Sequence, residues 1–187
     1  MSKVLDISQH RSDTTRAELQ TLYDLYRTAD LNVRYYGLKA NRLMSRYRWL
    51  QALSALSSAA AVAGAVQNVP VFGKSIWVAF ATVAAVTTAV ASVYDLPNRI
   101  SRLEHLHVAY VELFHQLELL LHEIRRNGYM TDENLGMSRV LQQLYTRMGP
   151  KDETAPDRKL LSILQSEVNR ALPPERMWMP EQELRTT

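Results

Sequence analysis

The sequence predicts an all-α membrane protein built on one long antiparallel helical hairpin, and three observations carry that prediction. Between Arg48 and Asp95 the only charged residue is Lys74. Heptad-spaced apolar residues flank this stretch on both sides, and turn-forming residues interrupt it near its middle. Each half of the interrupted stretch holds about 20 mostly apolar residues, which at about 1.5 Å per residue match a hydrocarbon core of about 30 Å.

Taken in chain order, residues 1–14 are expected to be a disordered N-terminal tail, and the first 48 residues are polar and lack the apolar core and small-residue cleavage site of a secretory signal. A first seam then runs through Leu19, Leu22, Tyr26, Ala29, Val33, Tyr36, Ala40, Leu43, Tyr47 and Leu50, alternating three- and four-residue steps as coiled-coil helices do. The first span, about 49–67, is rich in Ala and Ser. Gln67, Asn68, Pro70, Gly73 and Lys74 supply the turn. The second span, about 75–94, is more strongly apolar, with Ile76, Trp77, Val78 and Phe80 near its start. A second seam follows through Ile100, Leu103, His107, Tyr110, Phe114, Leu117, Leu121 and Ile124, widened by Leu106, Leu113 and Leu120. The hairpin domain is therefore 15–128, ending at Gly128 as a helix stop.

Two shorter helices occupy 129–172. One begins at Thr131 or Asp132 and places Leu135, Val140, Leu144 and Met148 on one side; the other follows the loop PKDETAPD. Residues 173–187 form a flexible tail in which Met177, Trp178 and Met179 make an apolar cluster, expected to pack on the bundle.

Basic residues surround the spans. Arg34, Lys39, Arg42, Arg46 and Arg48 precede the first and Arg99 and Arg102 follow the second, against Lys74 alone in the turn, so the positive-inside rule puts both termini in the cytoplasm and the spans in the inner membrane. Pairing across a turn near Pro70 sets Arg46 opposite Asp95 as a charge pair at the membrane edge. Inside the spans, Gln51, Ser54, Ser57, Ser58, Gly64, Thr82, Thr87, Thr88 and Ser92 are the candidate packing or pore-lining residues. Small residues let helices approach closely, and hydroxyls either bond across them or line a water path. The seam width points to a homo-oligomer, with an intramolecular bundle including the C-terminal helices as the other reading. An Ala-rich first span is also compatible with the centre of a helical bundle away from any bilayer.

Chemistry leaves little trace. The absence of Cys removes disulfides, thiolate metal sites and a Cys nucleophile. His105, His107, His115 and His122 share one helix without converging on a single face, so no metal is expected there. No phosphate loop, HExxH motif, nucleophile elbow or dinucleotide turn is present, which argues against an enzyme and against a cofactor. The basic run before the first span is better explained by topology and anionic headgroups than by nucleic acid.

The amphipathic helix with YYGLKANRLMSRYRWL, the Ala/Ser-rich span, the short turn, the second span ending SVYDLPNR and the long helix after it together resemble the SLATT family. These are the SMODS- and SLOG-associating two-transmembrane effector domains. The likeness covers roughly residues 15–128, at most to 172, and rests on architecture. It implies a bacterial anti-phage role in which a membrane effector, paired with a nucleotide-signalling or sensor protein, damages the inner membrane on infection. The family offers no catalytic residues to carry over. The expected function is thus an oligomerising two-transmembrane effector that permeabilises the inner membrane, with the lipid bilayer as a partner. The competing expectations are a non-conducting membrane scaffold clustering partners through its coil, and a soluble helical interaction protein.

Overall fold

The computed structural model describes residues 2–67, 74–152, 155–174 and 177–179, with side chains at 15–59, 78–90, 93–152, 155–174 and 177–179. Five α-helices follow one another: α1 Ser2–Gln67, α2 Lys74–Val93, α3 Leu96–Asn127, α4 Asp132–Met148 and α5 Arg158–Ala171, with a 3-10 turn at Gly149–Lys151. No strand occurs among the described residues.

The chain divides into two units whose cuts fall inside α1 and α3. The first is Met1–Tyr36 with Leu106–Thr187, and the second is Gly37–His105. In the first unit, α1 and α3 lie antiparallel: the Tyr26 ring stacks on Phe114 with centroids 4.7 Å apart. Seven residues further along α1 and seven back along α3, His107 Nδ1 is 3.0 Å from the Val33 carbonyl. Most positions of both heptad seams are buried there as expected, with Tyr26, Val33, His107 and Phe114 half-buried. Leu19, Leu22, Ala29 and Tyr36 of α1 meet a core that takes Leu106, Tyr110, Leu113, Leu117, Leu121 and Ile124 from α3. Leu160, Leu164 and Val168 of α5, spaced four apart, complete the core.

Local chemistry sets the helix ends. Gly128, at φ +76°, closes α3 in the left-handed region and donates its N–H to the Ile124 carbonyl at 3.0 Å. Thr131 caps α4 by accepting from Asn134 N at 3.1 Å, and Asp157 caps α5 by accepting from Lys159 N and Leu160 N. Asp132 and Glu133 in the first turn of α4 and Arg147 in its last suit the helix dipole.

The face of α4 differs from expectation. Asn134, Ser138, Leu141 and Met148 are buried, while Val140 and Leu144 are exposed and Leu135 is half-buried. Leucine spacing predicted the wrong side because α4 turns two polar residues inward: the Thr131 hydroxyl donates to Asn134 Oδ1 at 2.6 Å and the Gln142 amide to Ser138 Oγ at 3.4 Å.

In the second unit, the α2–α3 junction turns at Tyr94–Asp95. Asp95 has φ +47°, a left-handed conformation that Asp and Asn tolerate and β-branched residues resist. Its carboxylate accepts the Asn98 amide at 2.8 and 3.0 Å just ahead of the first turn of α3. Asp95→Asn is expected to leave thermal stability nearly unchanged, while Asp95→Val lowers it by about 1–2 kcal/mol in a denaturation series; equal melting of the two variants would remove this account of the turn.

The expectation of a membrane protein is corrected. Among the described residues, no helix is long and apolar enough to cross a membrane. In α1 the leucines of the expected first span are interleaved with Gln51, Ser54, Ser57 and Ser58, which contribute little to insertion. The transmembrane, pore-forming and inner-membrane assignments, and the cytoplasmic placement of both termini that depended on them, go with it. The all-α class stands.

Candidate functional site

The candidate span residues fall in the second unit, and their burial is inverted relative to an ordinary amphipathic hairpin. Ser57 is 5% exposed and Thr87 9%, whereas Leu56 beside the first is 71% exposed and Val86 beside the second 55%. Ser54 and Thr88 bring their hydroxyl oxygens to 3.2 Å, joining α1 to α2. Centred between them is the segment 68–73, which holds the expected turn residues Asn68, Pro70 and Gly73 and lies outside the described residues.

The remaining hydroxyls are satisfied within their own helix. Thr82 donates to the Val78 carbonyl at 2.8 Å, Thr87 to Val83 and Ala84, and Thr88 to Ala84. Such back-bonding lets a hydroxyl sit on an apolar helix without an orphaned donor. Gln51 and Ser58 are exposed, and the side chains at Gly64 and Ser92 lie outside the described residues. The structure thus brings Ser54, Ser57, Thr87 and Thr88 together at the α1–α2 contact and leaves Gln51, Ser58 and Thr82 outside it. Arg46 and Asp95 are both exposed and no ion pair between them occurs; Asp95 is engaged by Asn98 instead.

Narrowness is the main property of this contact. Of residues 78–90, only Thr87 is buried and Ala84 half-buried, and on α1 between 51 and 59 only Ser57 is buried and Ser54 half-buried. Leu53, Leu56, Val78, Phe80, Val83 and Val86 stay in the open. A helix apolar around its whole circumference belongs in an interior, and contiguous apolar patches beyond a few hundred Å² mark interaction surfaces.

The first unit holds a second polar constellation that motif reading missed. Asp152, in the loop after α4, accepts the Tyr36 hydroxyl at 3.0 Å and the Tyr110 hydroxyl at 2.9 and 2.8 Å on its two oxygens. The rings of Tyr36 and Tyr110 stack at 5.6 Å, Tyr145 meets Tyr110 edge-on, and the Tyr35 hydroxyl accepts Asp157 N–H at 3.0 Å. Burial first, then the Asp152 hydrogen bond and its charge, drives the Tyr110 phenol far above its ordinary pKa. A phenol held so firmly protonated is neither base nor nucleophile; the cluster ties α1, α3, α4 and the start of α5 together. Two seam tyrosines and one aspartate in an apparent loop were its only trace in the sequence.

The histidines do not gather. His107 meets the Val33 carbonyl, His115 Nδ1 lies 3.5 Å from Glu118, and His105 and His122 are exposed. Among the described residues, no group of three or more His, Asp or Glu is placed to hold a metal ion. Met177, Trp178 and Met179 are half-buried, in keeping with packing of that segment.

Comparison with known proteins adds no relative: no family model, no curated protein and no solved structure matches the chain.

Proposed function

We propose that this chain is a helical interaction protein that self-assembles through the outward apolar surface of its second unit. The inverted burial of the α1–α2 hairpin carries the reading: small hydroxyl residues occupy the internal contact while Leu56, Val78 and Val86 face outward. Burying each such side chain is favourable by about 1.5–3 kcal/mol, so a handful of them can offset the entropy lost on association. A second copy of the same hairpin is the matching partner, since between Lys74 and Asp95 no charge opposes like surfaces meeting. The first unit, with its capped helices and closed core, is then the part displayed by the assembly. The permeabilising role implied by the SLATT resemblance needs membrane-crossing helices and is not carried forward.

Sedimentation of the full chain tests the reading. The wild type is expected to run as an oligomer at micromolar concentration. Leu56→Asp with Val86→Asp, both at exposed positions, is expected to shift it to monomer with unchanged helicity. A wild type that stays monomeric, or that partitions into lipid instead of self-associating, would overturn the proposal.

A further inference from the structure

We infer that a cavity in the first unit, between α1, α3 and the segment following α5, binds a small organic anion: a phosphate or carboxylate on a flat apolar body. The cavity has a volume of about 290 Å³, and its wall combines Arg27 and Arg125 with the rings of Tyr23 and Tyr26 and the apolar Leu172 and Met177. A few convergent charged groups set in an aromatic and aliphatic wall are the usual make-up of a small-ligand site, and the volume suits a ligand of about ten non-hydrogen atoms.

Arg27 supplies the pointer to an anion. Its Nη2 donates to Asn169 Oδ1 and its Nη1 lies 3.9 Å from Asp24, two residues that line, with Arg27 itself, a separate and smaller cavity. Nε is closed off without an acceptor, while Nη1, whose carboxylate neighbour lies beyond hydrogen-bond distance, keeps N–H groups for a ligand oxygen. Arg125 is exposed and has no ion pair among the described residues, so it is available to the same ligand. The two cations face one carboxylate, Glu118, whose Oε2 already lies 3.5 Å from His115. Burial raises the Tyr26 phenol, with Glu118 and Asp30 adding to the rise and Arg125 opposing it, which places these charges around one ring. Tyr26 is therefore a neutral flat surface on which an aryl group can stack, as it already stacks on Phe114.

Phenyl phosphate is the probe, titrated into the full-length chain by calorimetry and by NMR, with inorganic phosphate and phenol as its two halves. Saturable binding with a Kd on the order of a millimolar or below is expected for phenyl phosphate, and weaker binding for either half. Arg125→Gln, at an exposed position that the fold does not need, is expected to weaken binding about tenfold, and Glu118→Gln to strengthen it. Arg27→Gln should weaken it further; should that variant unfold, Arg125→Gln still decides. No saturation by about 10 mM, equal affinity for inorganic phosphate and phenyl phosphate, or unchanged affinity in Arg125→Gln would each overturn the inference.

Discussion

Tyr110→Phe is expected to lower the stability of the chain by about 1.5–3 kcal/mol, the range for a hydrogen bond to a charged group whose partner stays behind. Tyr110 is fully buried, and its hydroxyl is shared between the two oxygens of Asp152. Removing one oxygen atom leaves the ring stack with Tyr36 intact, so packing changes little and the carboxylate loses its best donor. Tyr36→Phe should cost less, because its single bond to Asp152 is longer, at 3.0 Å. Denaturant melts of the full chain measure both. A Tyr110→Phe variant as stable as the wild type would show that the cluster is a consequence of packing and contributes nothing of its own.

Buried phenols also set an alkaline limit. Tyr26, Tyr110 and Tyr145 all have phenols raised in the folded state, each with burial as the first cause. A raised folded-state value means that the native chain holds the proton more tightly than the unfolded chain does. The resulting stability is fully present below the ordinary phenol value of about 10 and is lost as pH rises beyond it. Stability should therefore fall above about pH 10, and more gently with pH in Tyr110→Phe, which removes one of the titrating groups.

How far the sequence disclosed this fold depends on which residues carried the periodicity. The seams of α1 and α3 were legible because leucine and tyrosine at three- and four-residue steps have few uses other than burial, and Leu19, Leu22, Tyr110, Leu117 and Ile124 are all buried. Two helix ends were legible too, since Thr131 and Gly128 belong to residue types with a specific backbone role, whereas the cap at Asp157 was read only as the end of a loop. In α4 the same logic failed: Asn134 and Ser138 are buried by bonds that hydrophobic spacing does not register. Asp152 was hidden for a related reason, because its partners Tyr36 and Tyr110 lie 116 and 42 residues away and only the folded chain brings them together. The apolar middle was read from composition alone. An uncharged Ala- and Val-rich stretch looks the same whether its outer face meets lipid or another helix, and sequence offers no independent measure of which one it is.

Leu164→Ala carries the second large effect, an expected loss of about 2–5 kcal/mol, substantial against the 5–15 kcal/mol of a typical folded domain. Leu164 is the middle residue of the buried stripe Leu160–Leu164–Val168 that docks α5, and a helix of 14 residues is marginal in water without such docking. The loss should reach beyond the cavity left by the missing atoms. Asp157 at the start of α5 donates its N–H to Tyr35, and Asn169 near the end holds Arg27, so loosening the stripe loosens two long-range ties at once. Leu172, Pro173 and Met177, directly after α5, form one wall of the anion cavity. Undocking should then abolish phenyl phosphate binding and speed amide exchange across 158–171 ahead of the rest of the first unit. Ile163, on the exposed side of the same helix, is the control: Ile163→Ala should change stability by no more than about 0.5 kcal/mol and leave binding intact. Equal effects from the two substitutions would mean that α5 is not held by this stripe, and the cavity wall it supports would have to be fixed by the segment after it.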